Sequence, residues 1–232
     1  MIGWLLELMG FPDDAGGVLI SGASMANFVG VLVARQRALG TSVRRKGLGG
    51  ARLVGYASSA AHGCLPRAFE MAGLGSEALR LIAVGPDHRI DLAALRAAIA
   101  EDHAAGLKPF LLVGNAGTVD VGAIDDLAAL AEIARAEDLH FHIDGAFGAL
   151  AVLAPELKPL LAGLDRADSL AFDLHKWAQV PYDAGVILVR DGALQRATFA
   201  SDAAYLQRDW RGLAGGHPIT RRVLQVHHTT RH

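Results

Sequence analysis

Asp125-Asp-Leu-Ala-Ala-Leu-Ala-Glu-Ile-Ala-Arg-Ala-Glu-Asp138, followed after one residue by His140-Phe-His-Ile-Asp-Gly-Ala146, is the stretch that decides the fold. The first segment repeats its apolar residues at helical period. The second is a short apolar run that ends on a carboxylate with small residues behind it. The same pair of signals recurs on either side. Short apolar runs at residues 17–20, 52–56, 79–84, 110–113 and 169–172 alternate with segments of helical period at 25–38, 66–72 and 92–104. Such alternation predicts an α/β fold, a mostly parallel sheet flanked by helices on both faces. Asp91 is placed to cap the 92–104 helix and Gly106 to stop it, while Asp125 is placed to cap the 125–138 helix. A last strand, Gly185-Val-Ile-Leu-Val-Arg190, follows Pro181-Tyr182-Asp183 and runs into a turn at Asp191-Gly192.

Composition narrows the functional class. Of 232 residues 52% are hydrophobic and 20% charged, enough apolar material for a packed core, which excludes a disordered or collagen-like chain. The net charge of −2 gives no basic excess, so no nucleic-acid partner is expected. The single cysteine, Cys64, excludes an intrachain disulfide and a multi-cysteine zinc site, and it fits the reducing cytoplasm. The first ten residues are apolar but carry Glu7 and no basic residue, unlike a signal peptide or membrane anchor. Apolar runs such as 109–114 stop after a few residues at Gly or Pro, as buried strands do and membrane spans do not. Beyond about residue 198 the pattern deteriorates. His217, His227, His228 and His232 show no ligand spacing, and no metal site is expected.

Ligands of open parallel sheets bind at the carboxyl ends of strands, and five places there break the apolar pattern. Ser21-Gly-Ala-Ser-Met-Ala-Asn27 is a small-residue turn from strand to helix, which either converges backbone N–H groups on an anion or simply connects two elements. His62 follows Tyr56-Ala-Ser-Ser-Ala-Ala61, where a capping or core histidine is the alternative. Thr118 lies in Asn115-Ala-Gly-Thr-Val-Asp-Val-Gly-Ala-Ile-Asp-Asp126. Asp144 ends a buried strand, so its carboxylate needs a cationic or hydrogen-bond-donating partner. Asp173-Leu-His-Lys-Trp177 offers a lysine beside apolar residues, an amine that burial turns into a nucleophile. Together these elements ask for a ligand with a phosphate, a flat ring, a nitrogen that wants a carboxylate and a carbonyl that wants an amine; pyridoxal 5'-phosphate (PLP) has all four.

In this order the motifs resemble those of the group II PLP-dependent amino acid decarboxylases, which include the aromatic-L-amino-acid and glutamate decarboxylases. The resemblance runs from about Trp4 to Arg222. It implies the large domain of the aspartate-aminotransferase-type fold (fold type I) in residues 1–200, present in part. Residues 201–232 would be the catalytic-loop region followed by an aberrant or truncated tail. It further implies that Lys176 forms the internal aldimine, Asp144 binds the pyridine nitrogen, and His62 and Ala146 lie on opposite faces of the ring. Ala23 and Ser24 would bind phosphate, Thr118 would sit near the ring, and His175 beside the aldimine and phosphate. Tyr205, in Ala203-Ala-Tyr-Leu206, would protonate the substrate Cα. Asp173 departs from the Asn common in the aromatic decarboxylases, and a carboxylate there would repel phosphate unless protonated or turned aside.

The implied reaction is decarboxylation of an L-amino acid to an amine and CO2 by a cytoplasmic enzyme, a homodimer in its full-length form. Two other readings stand beside it: a fragment that binds PLP without turnover, and another fold type I reaction such as aldol cleavage, amino transfer or sulfur removal, the last using Cys64. The family's length implies a further segment before Met1 and a small domain after His232. Thr220-Arg-Arg222 resembles the family's Ser-Arg-Arg, whereas residues 223–232 depart from the apolar helix expected there.

Overall fold

The computed structural model describes residues 1–200. A short helix α1 (Ile2–Leu8) leads into strand β1 (Gly16–Ile20), then come α2 (Ala23–Leu39), a single turn α3 (Val43–Lys46), β2 (Leu53–Ser58), α4 (Cys64–Met71) and β3 (Leu79–Ile82). The helix–strand units α5 (Leu92–Ala104) with β4 (Lys108–Asn115), and α6 (Leu127–Ala136) with β5 (His140–Asp144), follow. Strands β6 (Ser169–Asp173) and β7 (Gly185–Val189) and helix α7 (Gly192–Phe199) complete the described chain.

The seven strands form one sheet in the order β1-β7-β6-β5-β4-β2-β3. Pairings among β3, β2, β4, β5 and β6 are all parallel, and β7 runs antiparallel to both β6 and β1. This is the expected mostly parallel sheet. Its central strands carry near-continuous apolar runs because helices cover both faces. Alternation along β4 shows the division. Leu112 packs into a core with Leu95, Leu130 and Phe141, beneath α1, α5 and α6. Leu111 and Val113 point to the other side, onto Val31, Leu65 and Phe69 of α2 and α4.

Local signals explain most boundaries. The Asp91 side chain accepts the Ala93 and Ala94 N–H groups, capping α5, and Gly106 follows the helix at φ 70°. Two expectations need correction. Asp125 is not a helix cap: Asp126 accepts the Ala129 N–H and α6 starts at Leu127. Asp125 is instead buried, taking the Ile90 N–H on one oxygen and the Asn115 backbone and side-chain N–H groups on the other. It ties the loop before α5 to the end of β4. At the other end, Asp191 does not open a plain turn but caps α7 through the Leu194 N–H. The apolar amino terminus, given no element from sequence, forms α1, and Leu6 and Met9 enter the core. Among the described residues no helix is long and apolar enough to cross a membrane, and no cluster of three metal-ligating side chains occurs.

Candidate active site

Register brings the polar strand ends together. Asn115 of β4 pairs with Asp144 of β5, and Asp144 with Ala171 of β6, so β4, β5 and β6 present Asn115, Asp144 and Asp173 along one edge of the sheet. A cavity of about 690 Å³ opens there. Ala23, Ser24, His62, Thr118, Asp144, Ala146, His175 and Lys176 all line it. Segments as far apart in sequence as Ala23 and Lys176 thus meet in one cavity. Tyr205 lies outside the described residues.

The small-residue turn before α2 is shaped by a close backbone approach. Gly22 precedes α2, and a Cβ on Gly185 at the start of β7 would come within 2.4 Å of the Gly22 Cα, so only glycine fits there. The head of α2 can therefore sit directly against the ends of β6 and β7. The Ala23 N–H, at the positive end of the helix, donates to Asp173 Oδ1 at 2.7 Å. Asp173 Oδ2 lies 3.0 Å from Lys176 Nζ and 3.5 Å from His175 Nε2. The carboxylate is thus not turned aside from the phosphate-type position; it takes the helix N–H and the lysine itself.

His175 is fixed from its other side. Its Nδ1 accepts the Ala184 N–H at 3.0 Å, and the Tyr182 ring stacks on it at 4.0 Å between centroids. Nδ1 as acceptor leaves the hydrogen of the neutral ring on Nε2, facing Asp173. His62 is exposed, and its Nδ1 accepts the Cys64 N–H at the head of α4, so the capping role and the cavity-lining position coexist. Thr118 is buried; its Oγ1 accepts the Ala123 N–H and closes the 116–124 loop, leaving its hydroxyl hydrogen free to donate.

Asp144 is buried at the end of β5, 6% exposed. Burial pushes its carboxyl up, opposed by hydrogen bonds from the Ala146 N–H at 3.1 Å and the Asn27 Nδ2 at 2.9 Å and by the charges of Lys176 and His62. Neither direct contact is ionic. A protonated ring nitrogen entering the cavity would supply the charged partner that the protein leaves out, so the donor set fits PLP. Cys64 is buried, accepts from Asn27 Nδ2 at 3.3 Å, and has its thiol pushed up by burial and by Asp144. A buried thiol held in the protonated form is a poor nucleophile, which counts against sulfur removal.

Asn27 and Tyr182 also line the cavity, and His142 and Ser169 are buried behind Asn27; none of the four carries a separate signal in the sequence. A pattern in the sequence could have found one of them, His142. His140, His142 and Asp144 alternate with Phe141 and Ile143, so period 2 puts all three polar side chains on one sheet face.

The Pyridoxal-dependent decarboxylase conserved domain matches residues 1–221. The chain belongs to this family. Among curated members it is 38% identical to the aromatic-L-amino-acid decarboxylase of Bacillus atrophaeus over 206 residues, 89% of this chain and 42% of that protein. It is 32% identical to the aspartate 1-decarboxylase of Aliivibrio fischeri, covering 89% and 40% respectively. The crystal structure of Oryza sativa TDC with PLP and tryptamine superposes with a TM-score of 0.81 at 30% identity, over 89% of this chain and 44% of that one. The chain therefore spans about 42% of the length of such relatives, and its sheet is that of the family's fold type I members.

Proposed function

We propose that this chain carries the cofactor-holding part of a PLP-dependent carboxy-lyase that converts an L-amino acid to an amine and CO2, with residues 1–200 as the large domain and 201–232 as the catalytic-loop region and tail. One observation carries the reading: a buried carboxylate without a cationic contact, Asp144, and an amine, Lys176, line the same cavity at the strand ends. When bound, PLP supplies an electron sink for the electron pair left at Cα as CO2 departs. Lys176 carries the amine that anchors the cofactor, and Asp144 accepts the ring N–H and keeps it protonated. Ala23 and Ser24 offer the head of α2 to the phosphate, with His175 beside it. His62 and Ala146 would hold the ring from its two faces, and Thr118 would offer its hydroxyl to it. Tyr205 returns the proton to Cα.

The substrate is an L-amino acid; the relatives' names span aromatic side chains and aspartate, so its side chain is the open variable. Exposed apolar side chains of the cavity lining, Val119, Phe147 and Tyr182, with Trp177 packed edge-on against Phe147, support a homodimer with the cavity near the subunit boundary. The lone buried cysteine supports a cytoplasmic setting.

Reconstitution of the purified chain with PLP tests the reading. A visible absorbance band is expected that Lys176→Ala abolishes, with CO2 released from one member of a panel of aromatic and acidic L-amino acids by a species that sediments as a dimer. A colourless protein would sink the proposal. Keto-acid release instead of CO2 would replace decarboxylation by amino transfer. Colour without any product selects a second reading, favoured by the 42% coverage, in which the chain holds the cofactor and turnover needs parts of the relatives that it does not match.

A further inference from the structure

Behind Asp144 runs a buried chain of polar side chains that the reaction does not directly use. Asn27 Nδ2 lies 2.9 Å from Asp144 Oδ2, Asn27 Oδ1 lies 2.8 Å from His142 Nε2, His142 Nδ1 lies 2.7 Å from Ser169 Oγ, and Ser169 Oγ lies 2.8 Å from His140 Nε2. All five side chains are buried.

The direction of every bond in this chain follows from donor and acceptor chemistry. An ionised carboxylate only accepts, so Asn27 faces Asp144 with its NH2 and turns its carbonyl oxygen to His142. His142 Nε2 must therefore carry a hydrogen. Complete burial pulls the imidazole down to about 3, so the ring is neutral and Nδ1 keeps a lone pair. Ser169 then spends its one hydrogen on His142 Nδ1 and accepts at its oxygen from His140 Nε2. His140 is also held neutral, at about 3, and its Nδ1 has no partner. Each donor points towards Asp144, so the dipoles add rather than cancel.

The surrounding fold makes room for this arrangement. A Cβ on Gly30, in the middle of α2, would lie 2.7 Å from His142 Cε1 and 2.8 Å from Nδ1. A missing side chain in the helix lets the imidazole lie between α2 and the sheet.

We propose that Asn27 and His142 are positioning residues for Asp144, the inner members of a one-way relay from His140 through Ser169 that holds the carboxylate charged and aimed into the cavity. The proposal rests on the reading of Asp144 as the partner of the cofactor ring nitrogen, and it deepens that reading. Besides the relay, the groups that face Asp144 are Cys64, which shares the Asn27 amide, and Lys176 and His62 from the cavity side. None of them replaces the Asn27 donor, because Ala146 N–H occupies the other carboxylate oxygen.

Carbon NMR of the Asp144 carboxyl in the full chain without cofactor tests the relay apart from the cofactor reading. In His142→Leu the titration midpoint of Asp144 is expected to rise by about one pH unit. His142→Gln, whose amide reproduces the donor to Asn27 and the acceptor for Ser169, is expected to restore it. Equal midpoints in the wild-type chain and a folded Leu variant would overturn the relay, and so would a Gln variant indistinguishable from Leu. If the Leu variant does not fold, the histidine ring nitrogens of the wild-type chain decide: both His140 and His142 are expected as Nε2–H tautomers, unprotonated from pH 8 to 5. An Nδ1–H tautomer or a protonated ring in either would overturn the relay. Tryptophan-fluorescence titration with PLP adds the link to the site, with affinity falling about tenfold in His142→Leu and recovering in His142→Gln. Wild-type failure to bind PLP, with the NMR outcome as expected, refutes the cofactor reading and leaves the relay standing.

Discussion

Asp173 holds a partner that a bound phosphate would also seek, the Ala23 N–H, and lies 3.0 Å from Lys176 Nζ. Its presence beside the lysine is plain in the sequence. Its reach to Ala23, 150 residues away, is not, because nothing local says that β6 ends against the head of α2. Two anions within a few ångströms repel even at the partly solvated dielectric of a cleft, by more than 1 kcal/mol. Asp173→Asn keeps an oxygen for the Ala23 N–H and removes the charge. Its affinity for PLP, measured by fluorescence titration, is expected to be about tenfold tighter, equivalent to about 1.4 kcal/mol. Unchanged or weaker binding would mean that the carboxylate does not compete. Asp144 gives the converse lesson: the cost of a charge at a buried strand end marks it in the sequence, while its actual donors, Asn27 and Ala146, come from an element 117 residues away and from the turn just behind it.

At the scale of elements, α2 does three things at once. Its head faces the cavity, Asn27 on its second turn reaches Asp144, and Gly30 three residues later admits His142. The helical period of this segment is readable, but the segment's amphipathic contrast is poor because small and polar residues face the sheet where apolar ones are expected. Gly30→Ala separates propensity from packing. Alanine favours the helix by about 0.5–1 kcal/mol, whereas overpacking against a ring pinned by Asn27 and Ser169 costs about 1–3 kcal/mol. A net destabilisation of about 1 kcal/mol in chemical unfolding is therefore expected; a more stable variant would show that His142 moves freely. Helix starts were less legible than helix interiors. Asp125 and Asp126 are adjacent carboxylates, and only the tertiary fold, which brings Ile90 and Asn115 onto Asp125, leaves the cap to Asp126.

The whole molecule responds to pH through groups that folding buries. His140 and His142 fall from an ordinary 6.5 to about 3, so below pH 6.5 the unfolded chain binds a proton at each that the folded chain refuses. Their stabilisation is complete above 6.5 and is lost as pH falls towards 3. Asp125, Asp144 and Asp168, pushed up by burial, act in the opposite sense and return stability as they protonate. A difference measurement isolates one histidine. In His140→Gln the slope of unfolding free energy against pH near pH 5 is expected to be shallower than in the wild-type chain by one proton, about 1.4 kcal/mol per pH unit. Parallel slopes would show that His140 protonates in the folded state. By itself the sequence determined the strand–helix alternation, the parallel sheet and the residues gathered at the strand ends, since period and small-residue turns are local properties of the chain. Only the tertiary structure decided that Asp173 occupies the head of α2 and that His140, Ser169, His142 and Asn27 line up behind Asp144. Those partnerships join residues tens to over a hundred positions apart, and they depend on strand order, register and a missing Cβ, which no local pattern records.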